Sequence, residues 1–392
     1  MENFVYKAPT EVVFGPAAED RAGEMVRKYG GTKVLILYGG GSVQRSGLLV
    51  RVEQRLTQEG IGFVEMGGVV PNPRLSFVNR AIALCRKEGI DFLLAVGGGS
   101  VIDTAKAVGY GAADGGDVWD FYDHKRTPVS TLPVGTLLTI AAAGSEMSDS
   151  SVITNEEGWI KRGYSSDVCR PVFSLLNPCL TMTLPPFQTA CGCADILMHT
   201  MERYFNRAEN MELTDEISEG LMRTVVHNAQ ILCSEPENYS ARAEVMWAGS
   251  LSHNGLTGCG TGGGDWSVHQ LEHELSGLFD VAHGAGLTAI WGSWARYVYG
   301  ECPRRFAQFA EKVWGAAPGS TDNETALRGI EAAEAFFHAL GLPTSLRQLG
   351  LDPTEEQISL MARKCGAACG GQMGAIRTLR PADMESIYRA AK

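Results

Sequence analysis

The chain runs to 392 residues, 44% of them hydrophobic and 20% charged, with a formal net charge of −11; domains usually hold roughly 100–200 residues, so two are expected. An acidic chain with no Lys/Arg-rich run is a poor match for phosphate backbones, which argues against a nucleic-acid partner. Met1-Glu2-Asn3-Phe4 carries no basic-then-apolar leader, and no segment reaches the ~18 apolar residues of a membrane helix, so a cytoplasmic enzyme without membrane association is expected.

In chain order, Lys33–Leu37 (KVLIL) reads as a buried strand that runs into Tyr38-Gly39-Gly40-Gly41-Ser42. Leu48–Glu59 has helical spacing, Gly62–Met66 reads as a strand ended by Gly67-Gly68, and Ser76–Lys87 is again helical. Asp91–Val96 (DFLLAV) is a further buried strand that opens into Gly97-Gly98-Gly99-Ser100 and then directly into a helical pattern. Thr131–Val134 and Val172–Leu176 are the remaining strand candidates, the second ended by Asn177-Pro178. Strands alternating with helices imply βαβ units and a mostly parallel sheet. After Leu184-Pro185-Pro186 the strand runs stop, and helical patterns take over at Glu212–Cys233, Ala241–Gly249 and Glu324–Gly341. Pro-Pro interrupts regular structure, so the boundary is placed there. The expected fold is an N-terminal α/β dinucleotide-binding domain over residues 1–184 and an all-helical metal-binding domain over 185–392. Ten cysteines in a chain this long are no disulfide framework. The close pairs, Cys191/Cys193 and Cys365/Cys369, read as reduced thiols that pack as small hydrophobes.

Ligands of open α/β sheets bind beyond the carboxyl ends of the strands, where glycine lets the backbone approach a phosphate and a helix N-terminus can face it. Both strand-then-GGGS turns suit that geometry. Neither is the G-x-G-x-x-G fingerprint, and each alone is compatible with a plain turn; two in one sheet favour a dinucleotide. The first turn offers no carboxylate for a ribose 2′-hydroxyl, and Arg45 is close by. A missing acid beside a cation suits a 2′-phosphate, so NADP(H) is expected over NAD; the plain alternative makes Arg45 a solvated surface charge.

Asp195-Ile-Leu-Met-His199 and His269-Gln-Leu-Glu-His273 each place two ligand-type side chains one helical turn apart, and His283-Gly284 follows. This nitrogen/oxygen set without thiolate suits Fe(II), Zn, Mn or Ni. Spacing alone nominates five residues and leaves open whether His269 or His273 takes the ion. His124, His227, His253 and His338 have no such company and read as ordinary structural histidines. His269-x-x-Glu272-His273 also matches H-x-x-E-H, an inverted zinc-peptidase pattern, but that reading leaves the glycine loops and the Asp195/His199 pair without a role.

Together, Pro71-Asn72-Pro73, Gly97-Gly-Gly-Ser-Val-Ile-Asp103-Thr-Ala-Lys106, Gly144-Ser-Glu146, Asp195-x-x-x-His199-x-x-Glu202 and His269-x-x-x-His273 with His283-Gly284 resemble the iron-containing (group III) alcohol dehydrogenases, in order and over nearly the whole chain. Tyr38-Gly-Gly-Gly-Ser-Val43, Glu235-Pro-Glu-Asn-Tyr239 and Asp265-Trp266 look most like the bacterial butanol dehydrogenase and NADPH aldehyde reductase branch. The resemblance implies a Rossmann-like domain followed by a helical one, in a dehydroquinate synthase-like architecture. It implies hydride transfer between NADP(H), or NAD, and short-chain primary alcohols or aldehydes; a glycerol-type polyol dehydrogenase on the same fold is the alternative. It assigns one divalent ion, Fe(II) or Zn, to Asp195, His199, His269 and His283, and leaves His273 to relay a proton. Cofactor contacts are implied at Gly39, Gly40, Gly41, Ser42, Asn72, Gly97, Gly98, Gly99, Ser100, Asp103, Thr139, Lys161 and Leu180, and a homodimer is implied. One departure stands out: Ala141-Ala142-Ala143 replaces the hydroxyl-bearing Pro-Thr-Thr or Pro-Ala-Thr of many relatives, with Thr136 and Thr139 the nearby hydroxyls that could substitute.

Overall fold

A computed structural model describes all 392 residues, Met1–Lys392, and the chain divides into two compact units, Ala8–Leu184 and Pro185–Lys392 joined by Met1–Lys7. The expected range 1–184 therefore misplaced the first seven residues. They carry no periodic pattern to betray a partner, and they attach to the helical unit through Glu2 N donating to Gly260 O (3.0 Å).

The α/β unit contains β1 (Glu11–Phe14), β2 (Lys33–Tyr38), β3 (Gly62–Met66), β4 (Phe92–Gly97), β5 (Val134–Leu138), β6 (Ser150–Asn155), β7 (Ile160–Ser165) and β8 (Phe173–Leu176). Its helices are α1 (Ala22–Lys28), α2 (Ser42–Arg45), α3 (Leu48–Gln58), α4 (Leu75–Glu88), α5 (Gly99–Asp114) and α6 (Trp119–Tyr122). Six strands form one sheet in the order β1-β8-β5-β4-β2-β3, and every pairing in it is parallel. Parallel strands are covered on both faces, so their residues are apolar without alternation. β4 and β8 are buried along their whole length, and β2 is buried from Val34 to Tyr38. From β2 the chain steps outward to β3, then returns to the other side of β2 for β4 and continues away through β5. The strand order thus reverses between β2 and β4. The two glycine turns begin where those strands end.

Two strand expectations need correction. The strand expected at Thr131–Val134 lies instead at Val134–Leu138, because Pro133 has no N–H for a ladder and marks its start. β1 and the antiparallel hairpin β6–β7 went unread: β1 has four residues, and the hairpin sequences, SSVITN and IKRGYS, are too polar to stand out as apolar runs.

The second unit is helical: α7 (Pro186–Tyr204), α8 (Glu212–Ser234), α9 (Tyr239–His253), α10 (Ser267–Phe279), α11 (His283–Val298), α12 (Pro303–Trp314), α13 (Asp322–Ala339), α14 (Glu355–Ala368) and α15 (Pro381–Ala390). α7 opens on Pro186, whose missing N–H costs nothing in the first turn. From Cys193 to Tyr204 α7 is buried without interruption, so it is the central helix against which α8, α9 and α11 pack. Side-chain caps set the starts of α9, by Asn238, and α13, by Thr321. No helix is long and apolar enough to cross a membrane.

Candidate metal centre and nucleotide loops

α7 presents Asp195, His199 and Glu202 on neighbouring turns, α10 presents His269 and His273, and His283 is the first residue of α11. The helix spacing of the sequence becomes a cluster because α10 and α11 both pack beside α7 or each other. Gly284 makes the approach of α11 possible: a Cβ there would lie 2.3 Å from the Cys191 carbonyl oxygen of α7. One ligand atom each from Asp195, His199 and His269 falls within 4.8 Å of the others. His283 Nε2 lies 3.8 Å and His269 Nε2 3.7 Å from Asp195 Oδ1, both beyond hydrogen-bond range.

The imidazoles are held from behind. His269 Nδ1 lies 3.0 Å from Glu202 Oε1, which also accepts the His269 backbone N–H (2.8 Å). His283 Nδ1 is paired with Glu272 Oε2, and His199 Nδ1 lies 3.0 Å from the carbonyl oxygen of Asp195. An oxygen acceptor on Nδ1 keeps a proton on that nitrogen and leaves Nε2 as the one that can give up its proton to bind a metal. At the centre Asp195 Oδ1 and His269 Nε2 are buried and have no hydrogen-bond partner. Orphaned buried groups are costly, and a divalent cation would satisfy both. The residues fit a nitrogen/oxygen-ligated ion.

The charges agree. Burial pushes the Asp195 carboxyl up, but the surrounding His199, His283 and His269 rings outweigh it and hold the group well below the usual carboxylate range. Burial drives His199 down to about 4. Burial also opposes the charged form of His269, yet the nearby carboxylates of Asp195 and Glu202 raise it to about 9. The cluster therefore keeps Asp195 as a carboxylate and draws positive charge beside it, here onto His269.

His273 lies on α10 one turn after His269, is buried, and has its ring centroid 6.0 Å from that of His283. It falls outside the converging trio of Asp195, His199 and His269, as does His283, which reaches to 3.8 Å from Asp195 Oδ1. Glu272 sits behind His283 and bonds Ser276 as well, so it is not placed as the general base that an H-x-x-E-H peptidase requires. Spacing paired neither Glu202 nor Glu272 with the histidine it supports, since those partners are 67 and 11 residues away in the chain. His253, read as an ordinary structural histidine, packs edge-on against His199 at 4.2 Å between centroids. No sequence signal pointed to that contact. Asp265 caps a different segment: Oδ2 accepts from Ala375 N (2.7 Å) and Ile376 N (2.9 Å).

In the α/β unit, Gly41 takes φ +70°, a left-handed conformation that favours glycine, just before α2. The Arg45 guanidinium folds back over it, with Nη1 3.0 Å from where a Cβ would stand. Gly97 ends β4, and no side chain caps the N-terminus of α5 behind Gly98. Its first amides are therefore open to an anion, at the carboxyl end of a strand flanking the switch point. Thr139 joins this turn through its N–H to Gly97 O (3.0 Å). Thr136 does not: its hydroxyl donates to Ser174 Oγ inside the sheet (2.8 Å), so it cannot replace the missing hydroxyls of Ala141–Ala143. Asn72 is buried at φ +51° between two prolines, in a segment held to the β6–β7 hairpin by Thr154 N donating to Pro73 O (2.7 Å). Lys161 is buried on β7, and Leu180 packs against the core cluster that contains Tyr38 and Val43. Asp103 acts as a tether, accepting from Ser145 Oγ (2.6 Å) and Val152 N (3.0 Å). Beside it the buried Lys106 ammonium donates to oxygens of Ser145, Ser148 and Ser150.

A Rossmann-like sheet with glycine turns at its switch point, followed by a helical unit with an Asp/His cluster, belongs to the class of NAD(P)-dependent alcohol-oxidising and aldehyde-reducing enzymes. Two family models cover almost the whole chain: iron-containing alcohol dehydrogenase over residues 9–178, and the C-terminal domain of the Fe-containing alcohol dehydrogenase family over 189–392. The chain belongs to the iron-containing alcohol dehydrogenase family. It is 41% identical to the probable NADH-dependent butanol dehydrogenase 1 of Bacillus subtilis, with all of both chains covered. It is 34% identical to the NADPH-dependent aldehyde reductase YqhD of Escherichia coli, again over the full length of both. The crystal structure of NADH-dependent butanol dehydrogenase A from Thermotoga maritima matches with a TM-score of 0.96 at 39% identity, covering 100% of this chain and 99% of that one. The fold expected from the sequence, a Rossmann-like α/β unit followed by a helical one, is the fold found.

Proposed function

We propose that this enzyme interconverts short-chain primary alcohols and aldehydes of the butanol/butyraldehyde type, with NADP(H) as preferred cofactor and one ion, Fe(II) or Zn, on Asp195, His199, His269 and His283. The observation that carries the reading is the convergence of Asp195, His199 and His269, with His283 Nε2 3.8 Å from Asp195 Oδ1, the Nδ1 atoms of all three histidines already having acceptors. When bound, the ion supplies Lewis-acid polarisation of the substrate oxygen and the nicotinamide exchanges the hydride. Glu202 and Glu272 hold two of the ligand rings in the metal-binding tautomer. His273, beside the cluster and outside the ligand set, passes the hydroxyl proton between substrate and solvent. The turns Gly39–Ser42 and Gly97–Ser100 hold the phosphates, with Asn72, Asp103, Thr139, Lys161 and Leu180 around the rest of the cofactor.

NADP(H) preference rests on Arg45, the only cation in the first turn, and on the absence of an acid at positions 39–41. Its relatives divide on this point, the Bacillus enzyme being named for NADH and the Escherichia enzyme for NADPH. The deciding experiment pairs metal analysis of freshly purified protein with kcat/KM for NADPH and NADH on butyraldehyde, with glycerol oxidation run alongside. Reduction favouring NADPH, in protein holding about one ion per chain, is expected; a strong NADH preference overturns the cofactor assignment, and faster turnover of glycerol overturns the substrate class. The family resemblance also supports a cytoplasmic homodimer, which light scattering tests.

A further inference from the structure

Cys365 and Cys369 stand one turn apart at the end of α14, where a third sulfur joins them. Met373 Sδ lies 3.8 Å from Cys365 Sγ and 4.0 Å from Cys369 Sγ. The backbone fixes Met373 in place: Met373 N donates to Leu379 O (3.1 Å) and Leu379 N donates to Met373 O (2.8 Å). The chain returns from α14 through a turn in which Gly371 N donates to Gly366 O (2.8 Å). Cys365 is buried, whereas Cys369 and Met373 are half-buried, so the sulfurs are reached from one side. No disulfide joins the cysteines.

We propose that Cys365, Cys369 and Met373 form a second metal site, specific for a soft monovalent cation, Cu(I). Thiolate and thioether ligands select Cu(I), whereas imidazole and carboxylate favour harder divalent ions. In a trigonal-planar site with metal–sulfur bonds of about 2.3 Å, neighbouring sulfurs stand about 4.0 Å apart. Both contacts to Met373 already have that spacing. On binding, two S–H bonds break and two S–Cu bonds form, the two protons leave to solvent, and Met373 donates a sulfur lone pair. Copper stays Cu(I) and nothing is oxidised or reduced. The proposal does not depend on the hydride chemistry, since none of the three sulfurs belongs to the Asp/His cluster.

The test uses full-length enzyme already loaded with its divalent ion, kept anaerobic and reduced, and titrated with Cu(I) against the chelator bicinchoninate. Wild type is expected to take one equivalent of copper from the chelator, with an all-sulfur shell by X-ray absorption. Cys369→Ser is expected to lose that equivalent, and Met373→Leu to bind about tenfold more weakly or worse. Cys233→Ser, which removes an exposed thiol on α8, should keep it. Failure of wild type to take up copper, a nitrogen/oxygen shell, or wild-type binding by Met373→Leu would each overturn the site. Met373→Leu, conservative and half-buried, decides the matter even if Cys369→Ser does not fold.

Discussion

Glu202 touches His269 twice with one oxygen, through the backbone N–H at 2.8 Å and Nδ1 at 3.0 Å. Removing the carboxylate's charge while keeping its shape leaves His269 in place but less basic. Glu202→Gln is therefore expected to weaken metal binding by roughly 10–100-fold, as replacement of such outer partners typically does. Competition against a chelator measures it, and an unchanged affinity would show that Glu202 only packs. His273 makes the opposite prediction, because the proposed ligand set leaves it beside the ion, with its ring centroid 6.0 Å from that of His283. His273→Ala should lower kcat by roughly 10²–10⁴-fold, the usual worth of a proton-transfer group, and leave metal content at the wild-type level. Loss of the ion in that variant would make His273 a ligand and displace the assignment of His283 or His269.

At the scale of elements, the centre depends on how closely α11 approaches α7. Gly284→Ala would set a methyl 2.3 Å from a backbone oxygen that cannot swing aside, so α11 must move. Overpacking of this kind costs about 1–3 kcal/mol, and His283 moves with its helix. Reduced unfolding free energy together with weaker metal retention is expected in chemical denaturation and metal analysis; full retention would show that the helix pair tolerates the shift. Asp265 links the start of α10 to residues 375 and 376 and is pushed up to about 6, first by burial and then by the charge of Glu202. Its folded value exceeds its unfolded value near 3.8, so its contribution is full below pH 4 and is lost as pH rises through 6. From this group wild type should lose roughly 2 kcal/mol between pH 4 and 7 relative to Asp265→Asn. Denaturant curves for both proteins at the two pH values test it, and a pH-independent difference would be the contrary result. These elements also show what was legible in advance. β2 and β4 could be read because a strand buried on both faces is an unbroken apolar run, and α7 and α10 because ligand types repeated at one-turn spacing. The Glu202–His269 and Glu272–His283 pairs could not, since what joins them is the packing of separate helices and not a local pattern. β6–β7 escaped for a related reason: pairing across a hairpin needs no hydrophobic run, and its anchor, the Pro73 carbonyl, lies far back in the chain.

At the scale of the whole molecule, the two compact units carry different chemistry. The glycine turns belong entirely to Ala8–Leu184, and the Asp/His cluster belongs entirely to the helical unit. Each ligand should then stabilise mainly the unit that binds it. A ligand present at about a thousand times its Kd adds about 4 kcal/mol to the state that binds it. For units of this size that corresponds to a rise in Tm on the order of 10 °C. Scanning calorimetry should accordingly resolve two transitions: stripping the ion with a chelator lowers one, and adding NADPH to the stripped protein raises the other. The N-terminal residues provide a further mark of which is which, because Met1–Lys7 pack with the helical unit. A fluorophore attached at the N-terminus should report the metal-sensitive transition, although the chain next enters the other unit. A single transition that both ligands move equally would mean that the two units unfold as one, and their division by contacts would then have no counterpart in stability.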